Sequence, residues 1–420
     1  MIAALAALAL AFAAPGQGPV ALARAEGDSP VALAGGTALF RRGETFHLRV
    51  LSVPVDGSAA ARELIRLPGA QDVEISASPQ RAAFAFFSDR DAYVLTGPPA
   101  GPFQKAPTSQ GGGSPPYYAT VNHDNLFTVE EAPGDPFAFR HVAIEPGMPP
   151  RPLGLPGDAN LLAYDGDLIA YNRGDTNVTV HDWRTGAERT IVLPDLPNQF
   201  DVRADGSLVA STYSGIYTVA PDGPPVLLAR RGERAQFAGE RIVYASSSVP
   251  AGRARSLYAV DADGHARKIG VPSMTLGNFI PDADRVLWTA NGCLLVADLA
   301  APLAAAPQAG PCPRSEVGVI GTHAPIRSDR TVRLRLRCVA APRACRGTFQ
   351  LKLVNEQGGS SSVRFSIPAG GRTTLSPRLT RAGYAAARRD PNVELSVEGV
   401  TVDPGGRRHR FRLGASGRLG

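Results

Sequence analysis

At 420 residues and 44% apolar content the chain can bury more than one core, and 45 glycines and 37 prolines spread along its length exclude a fold built on long helices. The net charge of +6 hides a split: residues 315–420 carry 18 Arg and 1 Lys against 3 Asp and 4 Glu, or +12, which leaves −6 for residues 1–314. With 41 Arg against 3 Lys, the arginine bias fits a GC-rich coding sequence, so the split says more than the arginine count.

The first 25 residues read as an export signal. Ile2 to Ala14 is an apolar run of alanine, leucine and Phe12, Pro15 ends it, and Ala23-Arg24-Ala25 offers a small-x-small cleavage site. A buried N-terminal helix or a lipid anchor is the competing reading, but the run is shorter than the ~20 apolar residues of a spanning helix. No later stretch is long and apolar enough to cross a bilayer, so no transmembrane segment is expected after signal removal.

From Thr37 onward one pattern recurs: a turn, then a short run of β-branched or aromatic residues. It appears as TALFRR (37–42), SPQRAAFAFF (78–87), HDNLFTV (123–129), DGDLIAY (165–171), DGSLVAS (205–211), GERIVYAS (239–246) and DADRVLWTA (282–290). The anchors Leu39, Ala83, Leu126, Leu168, Leu208, Ile242 and Val286 stand 34–44 residues apart. Each anchor strand has one short run before it and one or two after it, which makes four strands per unit. A four-stranded sheet cannot bury both faces alone, whereas units of this size stacked around an axis shield one another. The expected fold is therefore all-β, a seven-bladed β-propeller over residues 29–300, with six or eight blades as alternatives. The seventh repeat shows two clear strands and a poor fourth, so Ser29–Ala34 is expected to complete or abut the last blade.

Residues 301–315 form a Pro/Ala-rich linker. Beyond it, TVRLRLRC, GTFQLKLV, SVRFSIP, VELSVEGVTVD and RRHRFRLG alternate as strands do, and RLTRAGYAAARR (378–389) reads as a short helix. About 100 residues of this pattern, 316–415, suit a small sandwich. Val332, Leu334 and Leu336 share one face while Arg333, Arg335 and Arg337 share the other; Arg410 and Arg412 alternate likewise. Such a face reads either as a solvated, arginine-rich sheet surface or as a binding face for an anionic wall polymer or membrane; no aromatics interleave with it as nucleic-acid binding would require.

Four cysteines agree with an oxidising compartment. Cys338 and Cys345 are expected to bridge a hairpin, which pairs Cys293 with Cys312; a zinc site is the rival, without C-x-x-C spacing or a nearby histidine pair. The chain has no G-x-S-x-G elbow and no H-E-x-x-H, and its seven histidines are scattered. Asp261-Ala262-Asp263-Gly264 resembles the start of a calcium loop but lacks later acidic ligands, so a hairpin turn accounts for it. GGGSPP (111–116) has no phosphate-loop lysine, and Asn177-Val178-Thr179 reads as a strand start. Catalytic residues, metal and cofactors are therefore assigned to none. If a ligand binds, it meets the mouth where first strands converge, with Tyr118, Asp201, Arg234 and Asn278 as the candidates.

Residues 30–300, with VDADG (260–264) ending a strand, resemble the WD-repeat-like propellers of secreted bacterial proteins, the TolB-type group. The tail, with Cys338 ending one strand and Cys345-Arg346-Gly347 opening the next, resembles the immunoglobulin-like β modules appended to secreted proteins of high-GC bacteria, which implies an accessory role. The expectation is an exported, monomeric, non-catalytic platform that binds a protein or a cell-envelope polymer, with the sandwich spacing or attaching it. The alternatives are a propeller lyase or glycosidase acting on polysaccharide, and an envelope assembly factor.

Overall fold

A computed structural model describes residues 20–25, 31–43, 46–88, 92–107, 118–132, 135–246, 255–273, 276, 278–282, 284–290, 292–299, 316–320, 323–339, 344–354, 359–390, 393–402 and 408–419. The apolar run Ile2–Ala14, the GGGSPP stretch, the linker 301–315 and Cys312 lie outside the described residues.

The described residues up to 298 form seven four-stranded antiparallel sheets. Sheet 1 runs from Val31–Ala34 to Arg62–Pro68, sheet 2 from Asp72–Ala77 to Gln104–Lys105 and sheet 3 from Tyr118–Asn122 to Arg151–Pro152. Sheet 4 runs from Asn160–Asp165 to Glu188–Val192, sheet 5 from Pro197–Val202 to Val226–Ala229 and sheet 6 from Gly232–Ala238 to Ala266–Ser273. In these six the strands follow chain order, each pairing with the next. Sheet 7 combines Phe279–Asp282, Arg285–Ala290 and Cys293–Asp298 with Val20–Arg24 from the far end of the chain.

All seven anchor residues fall in the second strand of a sheet. Those strands are buried along almost their whole length, Leu208–Thr212 without a break, because each is covered on both faces by neighbouring sheets. That is why they read as unbroken apolar runs rather than alternating ones. In sheets 1, 4, 5 and 6 the turns before them carry a positive-φ glycine, Gly35, Gly166, Gly206 and Gly239, and in sheet 3 His123 takes that conformation instead. In sheet 4, Asp165 pairs with Leu168 across a two-residue loop in which Gly166 has φ +57°, a conformation glycine adopts freely.

First strands pack on first strands between sheets 1 and 2, 2 and 3, 4 and 5, 5 and 6, 6 and 7, and again between 7 and 1. Sheets 3 and 4 meet through Phe127, Ile169 and Trp183. Among the described residues, a separate apolar cluster fills the space between each adjacent pair. The cluster joining the two ends sets Val31, Leu33, Ala38 and Phe40 of sheet 1 against Leu287, Leu294 and Val296 of sheet 7. The arrangement is propeller-like: among the described residues each of the seven sheets packs apolar side chains against both of its neighbours.

Of the two forms expected for the fastener, the second holds: Val31–Ala34, within the segment expected to complete or abut the last sheet, opens sheet 1 and abuts sheet 7 from there. The fourth strand of sheet 7 is Val20–Arg24, which pairs antiparallel with Cys293–Asp298, and the backbone N–H of Ala25 donates to Gly292 O at 3.1 Å. The residues read as a cleavage site are therefore part of a sheet.

In the tail, Glu316–Val319, Leu334–Val339 and Arg372–Leu375 make a three-stranded sheet. Facing it is a five-stranded sheet of His323–Ile326, Arg408–Leu419, Glu394–Val402, Cys345–Leu353 and Val363–Ile367. A single core fills the space between, with Leu334, Leu336, Phe349, Leu351, Ile367 and Val397 nearly inaccessible. The predicted helix spans Arg381–Arg389, capped by Thr380, whose hydroxyl accepts from the Gly383 N–H. Cys338 and Cys345 are bonded, Cα to Cα 5.5 Å, as expected, but not across a hairpin: the chain leaves one sheet and enters the other within seven residues, so the bridge ties the two sheets together. Cys293 is also disulfide-bonded. Among the described residues, no helix is long and apolar enough to cross a membrane.

Candidate functional site

The first strands surround the middle of the ring, and their sequence alternates. In Asp72–Ala77, Val73 and Ile75 are buried in the cluster shared with sheet 1, so Glu74 and Ser76 project to the opposite side. There Ser76 Oγ accepts from the Val121 N–H of sheet 3 at 2.9 Å. Sheets 4 and 5 repeat the device with carboxylates. Asp165 Oδ2 accepts from Ala204 N at 2.7 Å, and Asp201 Oδ2 accepts from Phe237 N at 2.8 Å. Ser211 Oγ accepts from Ala235 N at 2.8 Å. Each bond satisfies a backbone donor of the next sheet, so these side chains act as braces that set the spacing between sheets.

The four residues singled out from sequence separate into three situations. Asp201 is a brace: its second oxygen also accepts from Val202 N at 3.0 Å, and burial raises its carboxyl to about 6 despite both bonds. Tyr118 is exposed at the start of its strand, its ring edge-on to Phe87 at 6.4 Å. Arg234 and Asn278 come together across sheets 6 and 7, with Arg234 Nη1 donating to Asn278 Oδ1 at 3.3 Å. Arg234 holds a left-handed backbone, φ +57°, which is uncommon for a long side chain. Arg234 is half-buried and Asn278 exposed; a guanidinium beside an amide can hold a carboxylate, a phosphate or sugar hydroxyls.

Sequence reasoning missed Glu74. Burial, reinforced by the neighbouring Asp72 charge, pushes its carboxyl up to about 7, so it exchanges a proton near neutrality. The signal was available in the D-V-E-I-S-A alternation, which sets a carboxylate on the same face as a brace residue. Nearby in the ring, His123 Nε2 lies 3.6 Å from Asp165 Oδ1. His141 is buried in sheet 3, and that burial holds its imidazole below the usual histidine range.

Trp183, in the only vaguely WD-like stretch VHDW, is structural. Its ring lies between the Arg151 and Arg184 guanidiniums, 4.7 and 4.4 Å from the centroid, and edge-on to Phe127 at 5.9 Å. Arg184 also bonds Asp167 at 2.6 Å and Glu145 at 3.1 Å, which locks sheets 3 and 4. The Asp261–Gly264 segment is the hairpin turn expected: Gly264 N donates to Asp261 O, and the Asp261 carboxylate pairs with Arg241 at 3.0 Å. Among the described residues no group of three His, Cys, Asp or Glu side chains is placed to hold a metal ion.

No family model matches this sequence, and no curated protein matches it. Similarity appears at the level of solved structures, which are propeller-like. Puromycin hydrolase superposes with a TM-score of 0.50 at 13% identity, over 77% of this chain and 61% of that one. The extracellular domain of the BT4673 one-component system of B. thetaiotaomicron gives 0.46 at 12% identity, over 96% and 58%. Sqt1 of Saccharomyces cerevisiae gives 0.43 at 12%, over 67% and 99%. The chain spans about three fifths of the length of the first two. At such identities the likeness concerns the fold.

Proposed function

We propose that the protein is an exported, seven-bladed, TolB-like β-propeller that serves as a binding platform, joined to an immunoglobulin-like sandwich that attaches it to the cell envelope. The observation that carries this reading is the commitment of inner-strand polar groups. Ser76, Asp165 and Asp201 serve as braces between sheets, while the half-buried Arg234 and the exposed Asn278 meet across sheets 6 and 7. Export is supported by the Cys338–Cys345 bond, which suits an oxidising compartment, and by the apolar run Ile2–Ala14. Because Val20–Arg24 completes a sheet, we place leader cleavage upstream of Val20.

The test has two arms. Full-length protein is screened against envelope glycans and envelope proteins, beside an Arg234→Ala/Asn278→Ala variant. A partner whose affinity falls about tenfold or more in a variant with unchanged thermal unfolding supports the platform. A partner bound equally well by both rejects this site. Separately, deletion of residues 316–420 moves the protein from envelope to soluble fractions if the sandwich attaches it, and an unchanged distribution rejects that role.

A second reading, a propeller enzyme acting on polysaccharide, is favoured by Glu74, whose carboxyl near 7 suits a general acid or base. Glycan cleavage abolished by Glu74→Gln would establish it over the platform.

A further inference from the structure

The sequence drew attention to the arginines of the strand Leu334–Val339. The structure draws it to the opposite side of the sandwich. On the outward face of the five-stranded sheet, Arg364, Thr348, Val400 and Arg410 stand in one cross-strand row over four strands, an arginine at each end. Three strand spacings make that row ~14 Å wide. One pleat further along, ~7 Å away, Arg346 pairs with Ser366 and Arg408 pairs with Val402. All four arginines are exposed, and none has a hydrogen-bond or ion-pair partner among the described residues. Of the two acidic side chains on this face, Glu398 is paired with Lys352 at 2.6 Å, and Glu394 stands three pleat rows away from the arginine row, opposite Ser416.

Between the arginines lies an open groove of about 600 Å³, whose lining mixes the polar Thr348, Gln350, Ser362 and Arg410 with the apolar Val400 and Phe411, among others. Its floor thus offers hydroxyl and amide groups, and its margins offer uncompensated cations. The ring of Phe411, one of the lining residues, packs over Gly399 toward Phe365, 6.2 Å away, rather than standing out from the sheet as a stacking platform for nucleic-acid bases. A membrane-docking face would instead project aromatic and leucyl side chains.

We infer that this face binds an acidic polysaccharide, a chain of hydroxylated sugars carrying carboxylates at intervals that reach from one arginine to the next. Guanidinium groups hold carboxylates through paired N–H donors, while Thr348, Gln350 and Ser362 meet sugar hydroxyls. It is the means by which the sandwich attaches the protein, and so rests on the attachment role proposed above for its biological setting.

The experiment uses full-length protein and a polygalacturonate oligomer, measured by titration calorimetry at about 50 and about 300 mM NaCl. Neutral dextran, duplex DNA and anionic phosphatidylglycerol vesicles run beside it. Binding to polygalacturonate that weakens with salt, with no binding to dextran, is expected. The variant Arg346→Gln/Arg364→Gln/Arg408→Gln/Arg410→Gln loses about tenfold or more, whereas Arg333→Gln/Arg335→Gln, on the other sheet, stays within about twofold. Should the quadruple variant fail to fold, Arg364→Gln/Arg410→Gln decides the matter with a loss of about threefold or more. Equal losses in both sets, tighter binding to DNA or vesicles, or no binding to polygalacturonate overturns the proposal. If the purified protein binds as expected but deletion of the tail leaves envelope association unchanged, the attachment role fails and the surface stands. If deletion releases the protein yet polygalacturonate is ignored, the surface fails and attachment stands.

Discussion

Two inner-strand carboxyls with raised pKa values, Glu74 and Asp201, differ in what surrounds them. Asp201 is held by the N–H groups of Phe237 and Val202, which favour its charged form and partly offset burial. Glu74 is raised further, to about 7, by burial and by Asp72. In the unfolded chain a glutamate titrates near 4.5, so between about 4.5 and 7 the folded state binds a proton that the unfolded state does not. The group's contribution is therefore most favourable below the unfolded value and is lost as pH rises through the folded one. Glu74→Gln should raise the thermal midpoint at about pH 8, by an amount corresponding to roughly 2 kcal/mol, with the gain vanishing near pH 4.5. A variant whose midpoint runs parallel to the parent across that range would show that Glu74 is well solvated. His141, whose value is depressed by burial, opposes this trend on acidification in both proteins and cancels in the difference.

The second strands are the most legible elements of this chain. Flanked by sheets on both sides, each holds a buried apolar stretch, and four of the seven turns before them carry a positive-φ glycine, so turn and apolar run together mark the sheets. First strands are harder to read, because braces such as Ser76, Asp165 and Asp201 look like ordinary polar positions; Asp201 reads as a ligand candidate, and Glu74 gives no signal beyond its alternation. The closing strand was illegible for a different reason. Residues 20–23 and 31–34 both read VALA, yet the first is an outer strand with an exposed start and the second is buried throughout. Local sequence cannot say which copy pairs with Cys293–Asp298, and the first also resembles a cleavage site. The disulfide shows the same limit: alternation identified both strands but not that they lie in different sheets. One consequence is direct. A variant lacking residues 1–25 leaves the edge of Cys293–Asp298 unpaired, and its thermal midpoint should fall by about 5 °C or more against a variant lacking residues 1–19. Equal midpoints would remove Val20–Arg24 from the fold.

Across the whole molecule, stability comes from sheets that cover one another. No sheet here can bury itself, so every apolar face is matched to a neighbour, and the seventh cluster, between sheets 7 and 1, closes the circuit. Closure also sets Arg234 of sheet 6 beside Asn278 at the start of sheet 7. The sandwich is built separately, around its own core and its sheet-to-sheet disulfide, and turns arginines outward on both of its sheets. All of this depends on the two ends of the ring meeting in sheet 7. Val20 and Val296 stand opposite each other there, and opposed antiparallel residues are ~4.5–5.5 Å apart, within disulfide reach. The most direct measurement is peptide mapping by mass spectrometry of the Val20→Cys/Val296→Cys protein, oxidised as a dilute monomer. A closed ring gives near-complete cross-linking of the peptides holding residues 20 and 296; both new thiols remaining free to alkylation would contradict it.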